Sequence, residues 1–352
     1  MKSQSYYMEQ NTKNTQKLRA ILKEFPDFAL DFFIGIEQRT TSLTRLNYAY
    51  DLRTFFTWAI LETNLFYGKT MIELTISDLE KFTPVHFERY LSYLTSYINE
   101  SGDTVTNTER GKSRKLAAVR SFFKYYYKKE LIKFDIASKI EMPKLHEKPI
   151  IRFEDNEISK FLSMVSSGDG LEGHQKGFHK HTKTRDVAIM TLLLGTGLRV
   201  SECVGLNLND IDFKINAIKV TRKGGNQVIL YFSDEVKIKL VQWIEERNTN
   251  PQLIDEPALF VSLQNKRIST RAVEKLVKKY AEIVTPLKHI TPHKLRSTYG
   301  TKLYNETKDI YIVADVLGHK DVNTTKKHYA EISDKVRRKA STAVKLFDDE
   351  DI

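Results

Sequence analysis

The 352-residue chain holds one cysteine, Cys203, so no disulfide can form within it and no zinc knuckle or ribbon can be assembled. Apolar neighbours make Cys203 a small core residue. No apolar run approaches the length of a membrane span. The opening residues, MKSQSYYMEQNTKNTQ, lack the apolar segment of a secretory signal. These absences lead us to expect a cytoplasmic protein with no membrane partner. A fourth absence is local. Residues 110 to 129 carry eight basic side chains and no acidic one.

The chain as a whole is basic, with a net charge of +11 and a pI near 9.3. The excess is shared: residues 1–150 have 23 basic against 18 acidic residues, and 151–352 have 33 against 27. A basic balance in both halves favours a polyanionic partner such as nucleic acid over one charged tail. The length exceeds what one hydrophobic core usually serves, so two domains are expected.

Residues 1–135 read as helices. Leu52, Phe55, Phe56, Ala59 and Ile60 recur on one helical face. PVHFERYLSYLTSYI starts with a helix-opening proline and repeats the pattern. GKSRKLAAVRSFFKYYYKKELI sets Leu116, Val119, Phe123 and Tyr126 on one stripe. The acid-free run then forms a cationic front, and Arg110, Lys112, Arg114, Lys115, Arg120 and Lys124 are its candidate contacts to a phosphate backbone. IASKIEMPKLHEKPII, with two prolines, reads as a linker over 136–150, and a second domain fills 151–352.

In that second domain, SSGDGLEGHQKGFHKHTK is polar and glycine-rich and reads as a surface loop. Its His174, His179 and His181 lack carboxylate or thiolate companions at a metal-binding spacing, and no metal is expected. TRDVAIMTLLLGTGLRVSECVGL reads as helix, glycine turn, helix. NAIKVTRKGGNQVILYF alternates about Gly224-Gly225 and reads as a β-hairpin with Arg222 and Lys223 at its tip. Helices follow over 234–247, near 269–284 and from Pro292.

Four clusters in this domain bear reactive side chains. GTGLRVSE supplies Arg199, with Glu202 one turn on. TRKGGN supplies Lys223. HKLR supplies His293 and Arg296, three residues apart on one helix face. LGHKDVNTTKKHYAEI supplies His319 and Tyr329. Taken singly each has an ordinary structural reading, such as an Arg199–Glu202 pair or an exposed hairpin lysine. Jointly, two arginines can clamp a phosphate, two histidines and a lysine can move protons, and a tyrosine can attack phosphorus.

The order of these clusters resembles that of the tyrosine recombinase (phage integrase) family, along nearly the whole chain. The resemblance implies a mainly α fold with a small antiparallel β-sheet. It would be a two-domain clamp on duplex DNA, with a helical core-binding domain (1–135) and an integrase-like catalytic domain (151–352). It further implies that Arg199 and Arg296 bind the scissile phosphate and Lys223 protonates the leaving 5′-oxygen. His293 and His319 would assist, and Tyr329 would form a 3′-phosphotyrosine. Glu202 would orient Arg199. No cofactor, metal or ATP is implied.

Within the family the chain is most similar to the Xer group, and to its XerS type in the N-terminal LKEFPDFALDFFIGIEQRTTSLTRLNYAYDLRTFFTWAI, in VTRKGG and in the polar insertion before TRDVAIMTLLL. That group commonly places the nucleophile nine residues after the LGH histidine. Here Tyr329 follows His319 by ten. The resemblance implies resolution of chromosome dimers at a dif-like site before division, in association with the nucleoid. The alternatives are the integrase of a mobile element, with the same chemistry, and a non-catalytic DNA-binding relative. The partner expected is a double-stranded recombination site, held by a homotetramer that is monomeric or weakly associated when free. Ile332, Val336, Ala340, Ala343 and Phe347 form a C-terminal stripe expected to dock on a neighbouring protomer.

Overall fold

The computed structural model describes residues 6–99, 101–145, 151–222, 224–253, 256–318 and 322. Lys223, His319, His328, Tyr329 and the C-terminal stripe lie outside the described residues. The chain forms two compact units, Met1–Lys148 and Pro149–Ile352. It is mainly helical with small antiparallel sheets. Among the described residues, no helix is long and apolar enough to cross a membrane.

The first unit contains α1 (Tyr6–Leu22), α2 (Asp27–Gly35), α3 (Ser42–Leu61), α4 (Pro84–Tyr93), β1 (Ser96–Ile98), β2 (Thr104–Thr106) and α5 (Glu109–Lys128). Thr41 caps α3 by accepting from the Thr44 N–H at 3.2 Å. Pro84 opens α4, where its missing N–H costs nothing. The core is aromatic. Phe55 of α3 is fully buried and packs on Phe82, Phe87, Tyr90 and Phe123, with ring centroids 5.0–6.2 Å apart. The expected stripe of α5, Leu116, Val119, Phe123 and Tyr126, is wholly buried against it.

Two readings of this unit are corrected. The helix expected through Ile98 stops at Tyr93, and Ser96–Ile98 pairs with Thr104–Thr106 as a hairpin. Asn99 makes the turn: its Oδ1 accepts from the N–H groups of Ser101 and Asp103, and Gly102 takes φ +81°. The linker expected to begin at 136 begins later. Ile136–Lys139 is a 3₁₀ turn, with Ala137 and Ile140 buried in the same core.

The second unit contains α6 (Asp155–Ser167), α7 (Gly173–Thr196), α8 (Val200–Gly205), β3 (Ile211–Asp212), β4 (Ala217–Thr221), β5 (Gln227–Tyr231), α9 (Asp234–Asn248), α10 (Thr270–Val284), α11 (Pro292–Thr307) and α12 (Ile310–Leu317). The three strands form an antiparallel sheet in the order β3-β4-β5, and β4 and β5 are the expected hairpin. The loop expected over 166–183 is mostly helix. Gly168 ends α6 in the left-handed conformation, and α7 starts at Gly173. The inward face of α7's first turns is polar: His179, Thr182, Arg185 and Asp186 are buried. His179 Nε2 donates to the Val165 carbonyl at 2.9 Å. Asp186 accepts from Arg185, Thr182 and Tyr280. Among the described residues, no group of three or more His, Cys, Asp or Glu side chains could hold a metal ion.

Candidate active site

The second unit gathers three of its arginines at the C-terminal end of α12. A helix ends with four carbonyls that lack intrahelical donors and that carry partial negative charge. Here those of Asp315, Val316, Leu317 and Gly318 accept from three guanidinium groups. Arg222 Nη1 and Nη2 donate to Asp315 O (3.3 Å) and Val316 O (2.6 Å). Arg296 Nη2 donates to Leu317 O, and Arg199 Nη2 to Gly318 O at 3.4 Å.

Each arginine reaches this point from a different element. Helix α7 stops because Gly197 adopts φ +64°, and a Cβ there would run into Tyr299 and Leu317. Two residues on, Arg199 is the extended residue just before α8. Its backbone N–H donates to Glu202 Oε2 at 2.9 Å, while its Nη1 lies 2.7 Å from Glu202 Oε1. The buried Glu202 carboxylate thus fixes both ends of Arg199, and roughly a third of the arginine side chain stays exposed (36%). Arg296 sits on α11 and is almost wholly buried, at 3% exposure. Its Nη1 donates to Gly197 O at 2.7 Å, so one guanidinium joins the GTG turn to the end of α12. His293, one turn earlier on α11, is exposed.

Of the residues singled out from sequence, the structure therefore brings Arg199, Glu202 and Arg296 together beside Gly318. Lys223 and His319 follow Arg222 and Gly318 in the chain. Arg222 was visible at the hairpin tip but had no role there; its carbonyl partners lie 93 and 94 residues downstream. Burial holds its pKa below the ordinary arginine value, Arg199's charge adds to this, and Glu202 and Asp315 oppose it. The phenol of Tyr299, against Gly197, is pushed up by burial, which ill suits it to ionise. The Cys203 thiol is buried and likewise pushed up.

The cationic run on α5 is not one uniform front. Arg110 and Lys124 are exposed. Lys112 pairs with Glu109 at 3.1 Å, and Arg120 donates to Ser138 O at 3.2 Å. Arg114 pairs with Asp51 of α3, and Lys115 lies 3.4 Å from the same carboxylate. Lys115 is only 8% exposed, so as a backbone contact it is corrected: its ammonium neutralises a buried aspartate between two helices.

The model of the phage integrase family matches residues 152–335, just over half of the chain. The chain belongs to that family, the tyrosine recombinases, and is in class a site-specific DNA recombinase. Its likeness to Xer proteins is extensive. It is 32% identical to the tyrosine recombinase XerC of Caldanaerobacter subterraneus subsp. tengcongensis, over 92% of this chain and 86% of the relative. It is 29% identical to the tyrosine recombinase XerS of Streptococcus agalactiae, over 88% and 93%. Its fold matches that of the XerH site-specific recombinase bound to a palindromic difH substrate, with TM-score 0.64 and 18% identity over 86% of this chain and 81% of that one.

Proposed function

We propose that this protein cuts and rejoins duplex DNA through a 3′-phosphotyrosine. The observation that carries the proposal is the guanidinium cluster of Arg199 and Arg296 at Gly318, immediately before His319 and eleven residues before Tyr329. In this reading Tyr329 gives its phenolic proton to one of the two histidines, His293 or His319, its oxygen attacks the scissile phosphorus, and the P–O5′ bond breaks. Lys223 gives its proton to the departing 5′-oxygen. A second 5′-hydroxyl reverses these steps and rejoins the strand. One phosphoester replaces another, so ATP is not consumed. Arg199 and Arg296 stabilise the charge of the pentacoordinate phosphorus, and His293 and His319 hydrogen-bond its oxygens. Glu202 holds Arg199 in place. Residues 1–135 and 151–352 act as core-binding and catalytic domains, and a homotetramer on DNA exchanges strands.

The biological role proposed is resolution of chromosome dimers at a dif-like site in the cytoplasm, which the Xer likeness over most of the chain supports. The ten-residue step from His319 to Tyr329 favours a second reading, a mobile-element integrase with the same chemistry; excisionase and transfer genes beside its gene would select it. A non-catalytic relative would have no use for all six cationic and nucleophilic positions, and all six are filled.

The test uses a nicked duplex bearing the site recovered by in vitro selection of bound random DNA. The wild-type protein is expected to form a covalent adduct that survives denaturation, and Tyr329→Phe to form none. Adduct formation by the variant would overturn the assignment.

A further inference from the structure

Arg222 belongs to the cluster at α12, yet the chemistry above does not use it. It follows β4 directly. Its N–H donates to Asn226 O at 2.8 Å, and its carbonyl accepts from the Gly225 N–H at 3.0 Å. Gly224 and Gly225, at φ +97° and +88°, complete a turn that an L-residue would resist. The backbone of Arg222 is thus held from both sides while its side chain leaves the hairpin for α12. There the guanidinium lies on Gly318, where a Cβ would overlap it, and its two terminal nitrogens reach Asp315 O and Val316 O.

An ordinary hairpin-tip cation stays in water, because burying a charge is costly. Arg222 is drawn in instead. Its Nε is buried and has no hydrogen-bond partner among the described residues. The two carbonyls and the negative end of α12 offset that cost. A planar guanidinium bonded to two successive carbonyls fixes orientation as well as distance, which a lysine ammonium does not. The next residue in the chain is Lys223.

We propose that Arg222 is a positioning residue: it ties the β4–β5 hairpin to the C-terminal end of α12, beside Arg199 and Arg296, and Lys223, the next residue, depends on that tie to act. This rests on the reading of Lys223 as the acid that protonates the leaving oxygen.

The experiment compares two nicked duplexes bearing the selected site, one with oxygen and one with sulfur at the 5′-bridging position of the scissile phosphate. A thiolate leaves without being protonated, so sulfur bypasses a lost or misplaced general acid. Arg222→Ala is expected to cleave the oxygen substrate about 100-fold more slowly, the scale of a mis-set catalytic group. On sulfur its rate should return to within about threefold of wild type, with DNA affinity little changed, because the phosphate clamp is intact. Arg222→Lys, reaching one carbonyl, should fall between. Equal losses on both substrates, or no loss on either, would overturn the proposal, the first by showing that Arg222 only supports the fold of the site. Lys223→Ala serves as the control: if sulfur fails to rescue it, the general-acid reading falls. If sulfur rescues Lys223→Ala but not Arg222→Ala, only the positioning role falls.

Discussion

The core of the first unit and the active-site end of the second are organised by different physics. The first is organised by rings: Phe55 meets four other aromatic side chains from α4, α5 and the segment between α3 and α4, and none of these contacts requires a particular donor or acceptor. The active-site end of the second is organised by guanidinium groups on backbone carbonyls. Apolar packing tolerates volume-conserving change and resists cavities and overpacking. A hydrogen-bonded helix end resists any loss of geometry, because each carbonyl has a direction as well as a place. The stable scaffold and the exacting site are thereby assigned to separate kinds of interaction. At the site the same arginines that would grip phosphate also hold the backbone around it.

Exchanging the damage between the two regions tests that division most strongly. Arg296→Ala removes the donor shared by Gly197 and Leu317, and DNA cleavage should fall by at least about 100- to 1,000-fold, as for loss of a preorganised charge-stabilising donor. Phe55→Ala leaves the site untouched and opens a cavity in the first unit. It should cost about 3–5 kcal/mol of stability, read from urea or thermal unfolding of the full chain. Below its melting range it should still form the covalent adduct. A cleavage loss in Phe55→Ala as large as that of Arg296→Ala would show that the two regions are not separable in this way.

Much of the scaffold was readable in advance because it depends on local pattern. The β4–β5 hairpin announces itself by alternation and Gly224-Gly225, and the α5 stripe by its spacing of apolar residues. The first turns of α7 were missed because their buried face is His179, Thr182, Arg185 and Asp186. Their partners, Val165, Tyr280 and each other, are invisible to a hydrophobicity pattern. The partners of Arg222 and Lys115 were hidden for a related reason. Each cation is drawn inward by a polar group distant in sequence, Val316 O and Asp51, and charge alone places both in solvent. The proposed catalytic set, by contrast, was legible as an ordered series of residue types, and the structure adds what joins Arg199 and Arg296: the carbonyls of Gly197, Leu317 and Gly318.

Acid should weaken each unit at an identifiable carboxylate. In the first, Asp78 is buried. Burial by itself would raise its pKa, but hydrogen bonds from Lys69, Lys81 and the Thr75 backbone together hold it well below the usual range. In the second, burial of Glu157 is likewise outweighed, by Lys288 and the Glu154 N–H. A depressed carboxylate contributes stability that is complete above its unfolded value, 3.8 for Asp78 and 4.5 for Glu157, and that is lost as pH falls toward the folded value. Unfolding midpoints should therefore decline as pH drops below these values. Asp78→Asn should be less stable at neutral pH and show a shallower acid decline, and an unchanged slope would remove Asp78 from the account.

The smallest effects should separate the cations of α5 from one another. Lys124 is exposed, while Lys115 is buried beside Asp51, so the two lysines of one helix should fail in different experiments. If Lys124 meets a DNA phosphate, Lys124→Ala should lower the slope of log affinity against log salt by about 0.9, with little change in unfolding. Lys115→Ala leaves Asp51 with Arg114 alone. It should cost about 1–3 kcal/mol of stability, the scale of a weakened buried charge-assisted hydrogen bond, with the salt slope unaltered. The opposite pattern would place Lys115 on the nucleic acid and Lys124 off it. The predicted pattern follows from Asp51 alone: one buried carboxylate on α3 converts part of an acid-free run from a DNA-facing charge into a bond between helices.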